Sequence, residues 1–200
     1  MKLFLNLNKK TGFTLIEAVI SVGIIVFVMA AILASYPKFT DSMSLHKAAQ
    51  LLASNVRRAQ VYGVSVKEFA GGLPIFPGYG ISFNLASSDK SYNLFADLNG
   101  DSYYGGISEL VANYAIEGNS FIYQMKAEEE KNSDCVGNLT SDIKRIDIIF
   151  KRPVPDIFLY VYDMNNIRSS ACNDVEIVLR APRGGEKTLV IWRSGQISVK

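Results

Sequence analysis

Asp97, Asn99 and Asp101 stand at alternate positions in the run Asp97-Leu98-Asn99-Gly100-Asp101, and Glu109 follows as a further carboxylate. Alternate oxygen side chains in a tight loop are how a calcium site begins, because the ion takes roughly six to eight oxygen ligands. The pattern is incomplete: Ser102 stands where the loop wants Gly, the twelfth position is Ser108, and Glu109 comes one place late. Asp, Asn and Gly are also the preferred turn residues, so a plain connection between strands explains the same run. Calcium is the one cofactor the sequence raises.

Two cysteines, Cys135 and Cys172, are the next reactive groups. They form no CxxC pair and the chain has one histidine, which leaves no Cys/His zinc site. In an oxidising compartment they can close a disulfide loop of about 36 residues, stabilising by ~2–4 kcal/mol where geometry allows. Charge is unevenly spread. Glu68 to Asp134 holds three Lys/Arg against ten Asp/Glu, and Ser141 to Lys200 holds ten against seven. Arg180, Arg183, Lys187 and Arg193 are therefore the candidates for binding DNA, although Glu176 and Glu186 interrupt them and no groove-entering helix is evident. An enzyme finds little support. His46 falls on a helical stretch outside the strand-rich part, Ser194 lacks a G-x-S-x-G elbow, and no carboxylate pair stands out.

The most informative charge is Glu17. From Ala18 to Ala34 the only polar side chain is Ser21, and Glu17 opens that run. Lys2, Lys9 and Lys10 precede it with no acid, the pattern that holds an N-terminus in the cytoplasm. Phe13 to Tyr36 is 24 residues, a helical rise of ~36 Å against a hydrocarbon layer of ~30 Å. It is too long for a secretory signal, and Ala34-Ser35-Tyr36 is a poor cleavage site. A plain anchor fits the length but leaves Glu17 unexplained, since an acid at a membrane centre costs about 2.5–3.5 kcal/mol.

Lys10-Thr11-Gly12-Phe13-Thr14-Leu15-Ile16-Glu17 resembles the cleavage and methylation motif of type IV pilins and type II secretion pseudopilins. The resemblance implies a membrane peptidase cutting between Gly12 and Phe13, with methylation of the new amine on Phe13. It implies that Glu17 pairs with the N-terminal amine of a neighbouring subunit. A buried carboxylate and ammonium each cost much alone, and together they reward one axial stagger. An assembly ATPase and a platform protein are implied as further partners.

These residues must be positioned by a long helix and a β-rich head. Leu45, Ala48, Ala49, Leu52, Val56 and Ala59 recur with a helical period beyond Pro37, which predicts one helix over 13–62, bent near Pro37. Beyond Gly71-Gly72 the period becomes two. Strands are expected at Tyr79–Leu85, Tyr92–Ala96, Phe121–Lys126, Ile143–Phe150, Ile157–Tyr162, Asp174–Arg180, Lys187–Trp192 and Gln196–Val199, with Pro and Gly between several of them. The class is α+β, a helix on an antiparallel sheet or sandwich. The expected division is a leader, 1–12; a transmembrane and filament-core helix, 13–36; its amphipathic continuation, 37–66; and an extracytoplasmic head, 67–200. Arg57-Arg58-Ala59-Gln60, the segment Phe95–Asp101 with Glu109-Leu110, and the ending Leu189–Val199 are similar to minor pseudopilins of the H type and to fimbrial minor pilins. The expected function is a non-catalytic filament subunit that starts as a single-pass membrane precursor. The alternative is a DNA-binding minor pilin of DNA uptake.

Overall fold

The computed structural model describes residues 12–65, 67–69, 76–129, 135, 142–152, 157–170 and 172–200. The chain divides into two compact units, Met1–Phe39 and Thr40–Lys200. Helix α1, Leu15–Val64, contributes to both, and Pro37 lies inside it.

In the first unit the helix is apolar nearly all round. Its most apolar 18-residue window has a mean hydropathy of 2.7 and buries nothing. A helix of this length and composition is able to cross a bilayer. Among the described residues of the unit nothing covers Ile16, Ile20, Ile24, Phe27 or Leu33, all of which are exposed.

The second unit is α+β, as the periodicities predict. Its part of α1 buries Leu45, Ala48, Ala49, Leu52, Ala53, Val56, Ala59 and Gly63, a stripe at helical spacing. The strands are β1 (Gly78–Asn84), β2 (Ser91–Asp97), β3 (Leu110–Ala115), β4 (Phe121–Glu129), β5 (Ile143–Phe150), β6 (Ile157–Asp163), β7 (Arg168–Ser169), β8 (Cys172–Arg180), β9 (Glu186–Trp192) and β10 (Ile197–Val199). One sheet runs β3-β2-β1-β5-β6-β7 and the other β10-β9-β8-β4. Every pairing is antiparallel.

One core joins the helix stripe to both sheets. It includes Ile81, Phe83, Leu94, Ile146 and Ile148 from the first sheet and Val175, Ile177, Leu179, Leu189 and Ile191 from the second. Polar contacts fix the helix at its flanks. Asn55 Nδ2 donates to Tyr92 Oη at 2.8 Å, Arg58 to Tyr114 Oη at 3.2 Å, and Gln60 Nε2 to the Gly195 carbonyl at 3.2 Å. Near its end the helix comes so close to β5 that a Cβ at Gly63 would lie 2.2 Å from the Phe150 carbonyl oxygen. Only glycine permits that approach.

Two strands escaped the sequence reading, β3 and β7. Leu110-Val111-Ala112-Asn113-Tyr114-Ala115 carries two alanines and an asparagine, poor strand formers, and lies at a sheet edge. β7 is two residues long, too short for any periodicity.

Candidate functional site

Helix α1 begins on a reciprocal cap. The Glu17 backbone N–H donates to Thr14 Oγ1 at 3.3 Å, and the Thr14 hydroxyl points back to Glu17 Oε2 at 3.5 Å. The Ala18 N–H takes the Thr14 carbonyl at 3.1 Å, the first turn of the helix ladder. Thr14 is thus the N-cap of the helix, and Glu17, the third helical residue, meets its hydroxyl through both backbone and side chain. Glu17 also stands in the first turn, where the helix dipole favours a negative group. Next along the helix, Ser21 Oγ donates to the Glu17 carbonyl at 2.7 Å. The T-x-x-E spacing was visible in the sequence, and it explains part of what made Glu17 anomalous.

Gly12 and Phe13 precede the cap. Phe13 is 74% exposed. A Cβ at Gly12 would meet nothing within 4 Å, and its backbone does not take the positive φ that favours glycine. Among the described residues, neither space nor backbone conformation calls for glycine there. The residues before Gly12, including Lys10 and Thr11, lie outside the described residues.

The acidic run forms a compact loop between β2 and β3. Asp97 Oδ1 accepts from Gly100 N at 2.9 Å and Oδ2 from Ser102 N at 3.2 Å. Asn99 Oδ1 accepts from Asp101 N, and its amide donates to Asp101 Oδ2 at 2.6 Å. Glu109 Oε2 accepts from Gly105 N at 2.7 Å. Oxygens of Asp97, Asp101 and Glu109 lie within 4.8 Å of one another. Three convergent carboxylates suit a hard cation in donor chemistry, with Asp97 and Glu109 buried. Yet a cation is already supplied by the chain. Lys151 Nζ lies 2.5 Å from Asp97 Oδ2, 2.7 Å from Ser102 Oγ and 3.4 Å from the Gly100 carbonyl. To get there it crosses β1 at Gly78, where a Cβ would lie 2.7 Å from Lys151 Cγ. No sequence signal links Lys151 to Asp97, because strand order alone brings them together.

The same loop is strapped to β5. Arg145 grips Asp147 through Nε–Oδ1 at 3.0 Å and Nη2–Oδ2 at 2.5 Å, and Nη2 also donates to the Tyr104 carbonyl at 2.6 Å. Tyr104 N donates to Asp147 Oδ2 at 3.3 Å. Burial works against the Arg145 charge, but Asp147 outweighs it, and the guanidinium ionises above its ordinary value. Beside it, burial and the Asp147 charge push the Tyr162 phenol up to about 12, against the pull of Arg145 and Arg168.

Cys135 and Cys172 are joined in a disulfide, both fully buried, with Cα atoms 4.7 Å apart. The four basic candidates do not form one surface. Arg180 is paired with Glu186 and lies over the Tyr123 ring, and Arg183 reaches Asp41 at 3.2 Å. Lys187 is next to that pair on β9, whereas Arg193 follows the far end of the strand, ~20 Å away by strand rise. His46 is an exposed helix residue.

The family model described as the prokaryotic N-terminal methylation motif matches residues 7–33. That span takes in Gly12, Phe13, the cap and much of the apolar helix, and it supports a type IV pilin-like chain held in the membrane as a precursor. No curated protein and no solved structure matches the chain.

Proposed function

We propose that this chain is a structural subunit of a filament, either a type IV pilus-like fibre or a secretion pseudopilus. It is made as a membrane-held precursor, cut between Gly12 and Phe13 and methylated on the new Phe13 amine. The observation that carries this reading is the coincidence of the matched motif with a helix whose apolar side chains are bare. Residues 7–33 carry the motif, and within them the most apolar part of α1 buries none of its surface. Such a surface needs lipid first and neighbouring helices afterwards. Gly12 fits the reading because nothing among the described residues requires glycine, which points to recognition from outside.

The head then serves as the non-catalytic, extracytoplasmic part of the subunit, and the similarity of its Phe95–Asp101 and Leu189–Val199 segments favours the minor, H-type group. Partners follow from this: a prepilin peptidase, other pilin subunits and the assembly machinery. DNA binding by the basic end draws less support, since Arg180 and Arg183 are each committed to an acid and Arg193 is remote from them.

Intact-mass analysis of the mature protein tests the proposal. The expected chain begins at Phe13 and carries one added methyl, and a Gly12→Leu precursor keeps its leader. A mature chain starting elsewhere, or a wild-type precursor left whole by a prepilin peptidase, would overturn it.

A further inference from the structure

The first sheet has a second face that the helix does not use. Ile157, Leu159 and Val161 of β6 enter the core, so Phe158, Tyr160 and Tyr162 alternate onto the opposite face. Arg145, Tyr162 and Arg168 are register neighbours across β5, β6 and β7, which puts both arginines on that face. The β6–β7 turn that carries Arg168 is fixed by Asp163, whose Oδ1 accepts from the backbone of Asn165 and Ile167, each at 2.8 Å.

The two arginines differ in what they have left to offer. Arg145 is consumed by Asp147 and the Tyr104 carbonyl. Arg168 is exposed and has no carboxylate partner among the described residues. Its guanidinium lies 5.2 Å from the Tyr160 ring centre and 5.7 Å from that of Tyr103. Cation–π attraction from two rings preorganises it, and a guanidinium offers a planar fork for a carboxylate. Phe158, 41% exposed, continues the aromatic row by one step along β6.

The charge density decides between anionic polymers. A nucleic-acid strand carries a phosphate at every nucleotide and its binders supply a strongly positive track. Here Arg168, without a carboxylate partner among the described residues, stands among several rings. The fitting ligand is a chain in which acidic groups are sparse and flat, weakly polar faces lie between them. We propose that this face binds an acidic polysaccharide whose uronates alternate with neutral sugars. Arg168 takes a carboxylate, and Tyr103, Tyr160 and Phe158 take the C–H faces of the adjoining rings. This partner is independent of which filament the subunit enters.

The test uses the full chain in uncharged detergent micelles and a fluorescent hyaluronan oligosaccharide, read by anisotropy. Saturable binding is expected, with dextran and oligothymidylate bound far more weakly. Arg168→Ala should weaken it at least about tenfold, the scale of a charge-assisted hydrogen-bond pair. Arg168→Lys should fall between, and Lys126→Ala on the other sheet should change nothing. Circular dichroism confirms that each variant is folded. Absence of saturable binding, equal binding by Arg168→Lys and Arg168→Ala to wild type, equal affinity for dextran, or tighter binding of oligothymidylate would each overturn the proposal.

Discussion

Thr14 and Glu17 close the first turn of α1 on each other, with the Glu17 N–H on the Thr14 hydroxyl at 3.3 Å and the two side chains 3.5 Å apart. Glu17 therefore has a local duty as well as its proposed duty toward a neighbouring amine. The two are separable because glutamine keeps the capping geometry and loses the charge. Glu17→Ala and Glu17→Gln should both insert and be cut normally. Both should also be poorly incorporated into sheared filaments, as read by immunoblot. Wild-type incorporation of Glu17→Gln would reduce Glu17 to a capping residue.

Lys151 already neutralises Asp97, one of the three carboxylates that converge in the loop. An ammonium only 2.5 Å from the buried carboxylate competes with a dication for it. Calcium should accordingly leave the melting temperature of the full chain unchanged. Lys151→Met should lower stability by about 2 kcal/mol, since it strands a buried, partly hydrogen-bonded carboxylate. In that variant calcium should restore part of the loss. Calorimetry with calcium and with chelator reads all three, and a rise in wild-type melting temperature with calcium would mean that the ion wins over the lysine.

What the sequence disclosed follows from the range of each signal. The helix stripe and most strands were legible because side chains three and four apart, or two apart, report burial locally. The Gly12–Glu17 motif was legible because it is a contiguous string, inside the span the family model matches. The Asp97 loop was half legible: its turn residues are contiguous, but Lys151 arrives from 54 residues further on, across β1. Arg168 and its tyrosines were invisible for the same reason. Tyr160 and Arg168 become neighbours only when β6 and β7 pair, and Tyr103 joins them only when the loop after β2 folds over that hairpin. The four basic candidates show the converse, a cluster in sequence that the hairpin of β8 and β9 pairs with acids or separates.

Gly63 sets the approach of the helix to β5. An alanine there places Cβ 2.2 Å from a backbone oxygen, an atom that cannot rotate away. Helix propensity alone would favour the alanine by up to about 1 kcal/mol. The clash should outweigh it, and Gly63→Ala should destabilise the head by about 1–3 kcal/mol in denaturant melts. A stabilised variant would show that the helix end is free to move off the sheet.

Tyr162 gives the head a signature at high pH. Its phenol is pushed up to about 12, first by burial and then by the Asp147 charge. An ordinary tyrosine ionises near about 10. A raised folded value means that the stability it contributes is intact below the unfolded pKa and is lost as pH climbs through the folded one. Absorbance titration of phenolate should show a late-titrating component that disappears in Tyr162→Phe. Over the same interval the variant should lose stability less steeply than wild type. If the late component survives the substitution, another buried phenol carries it, and Tyr92, raised chiefly by burial, is the next to replace.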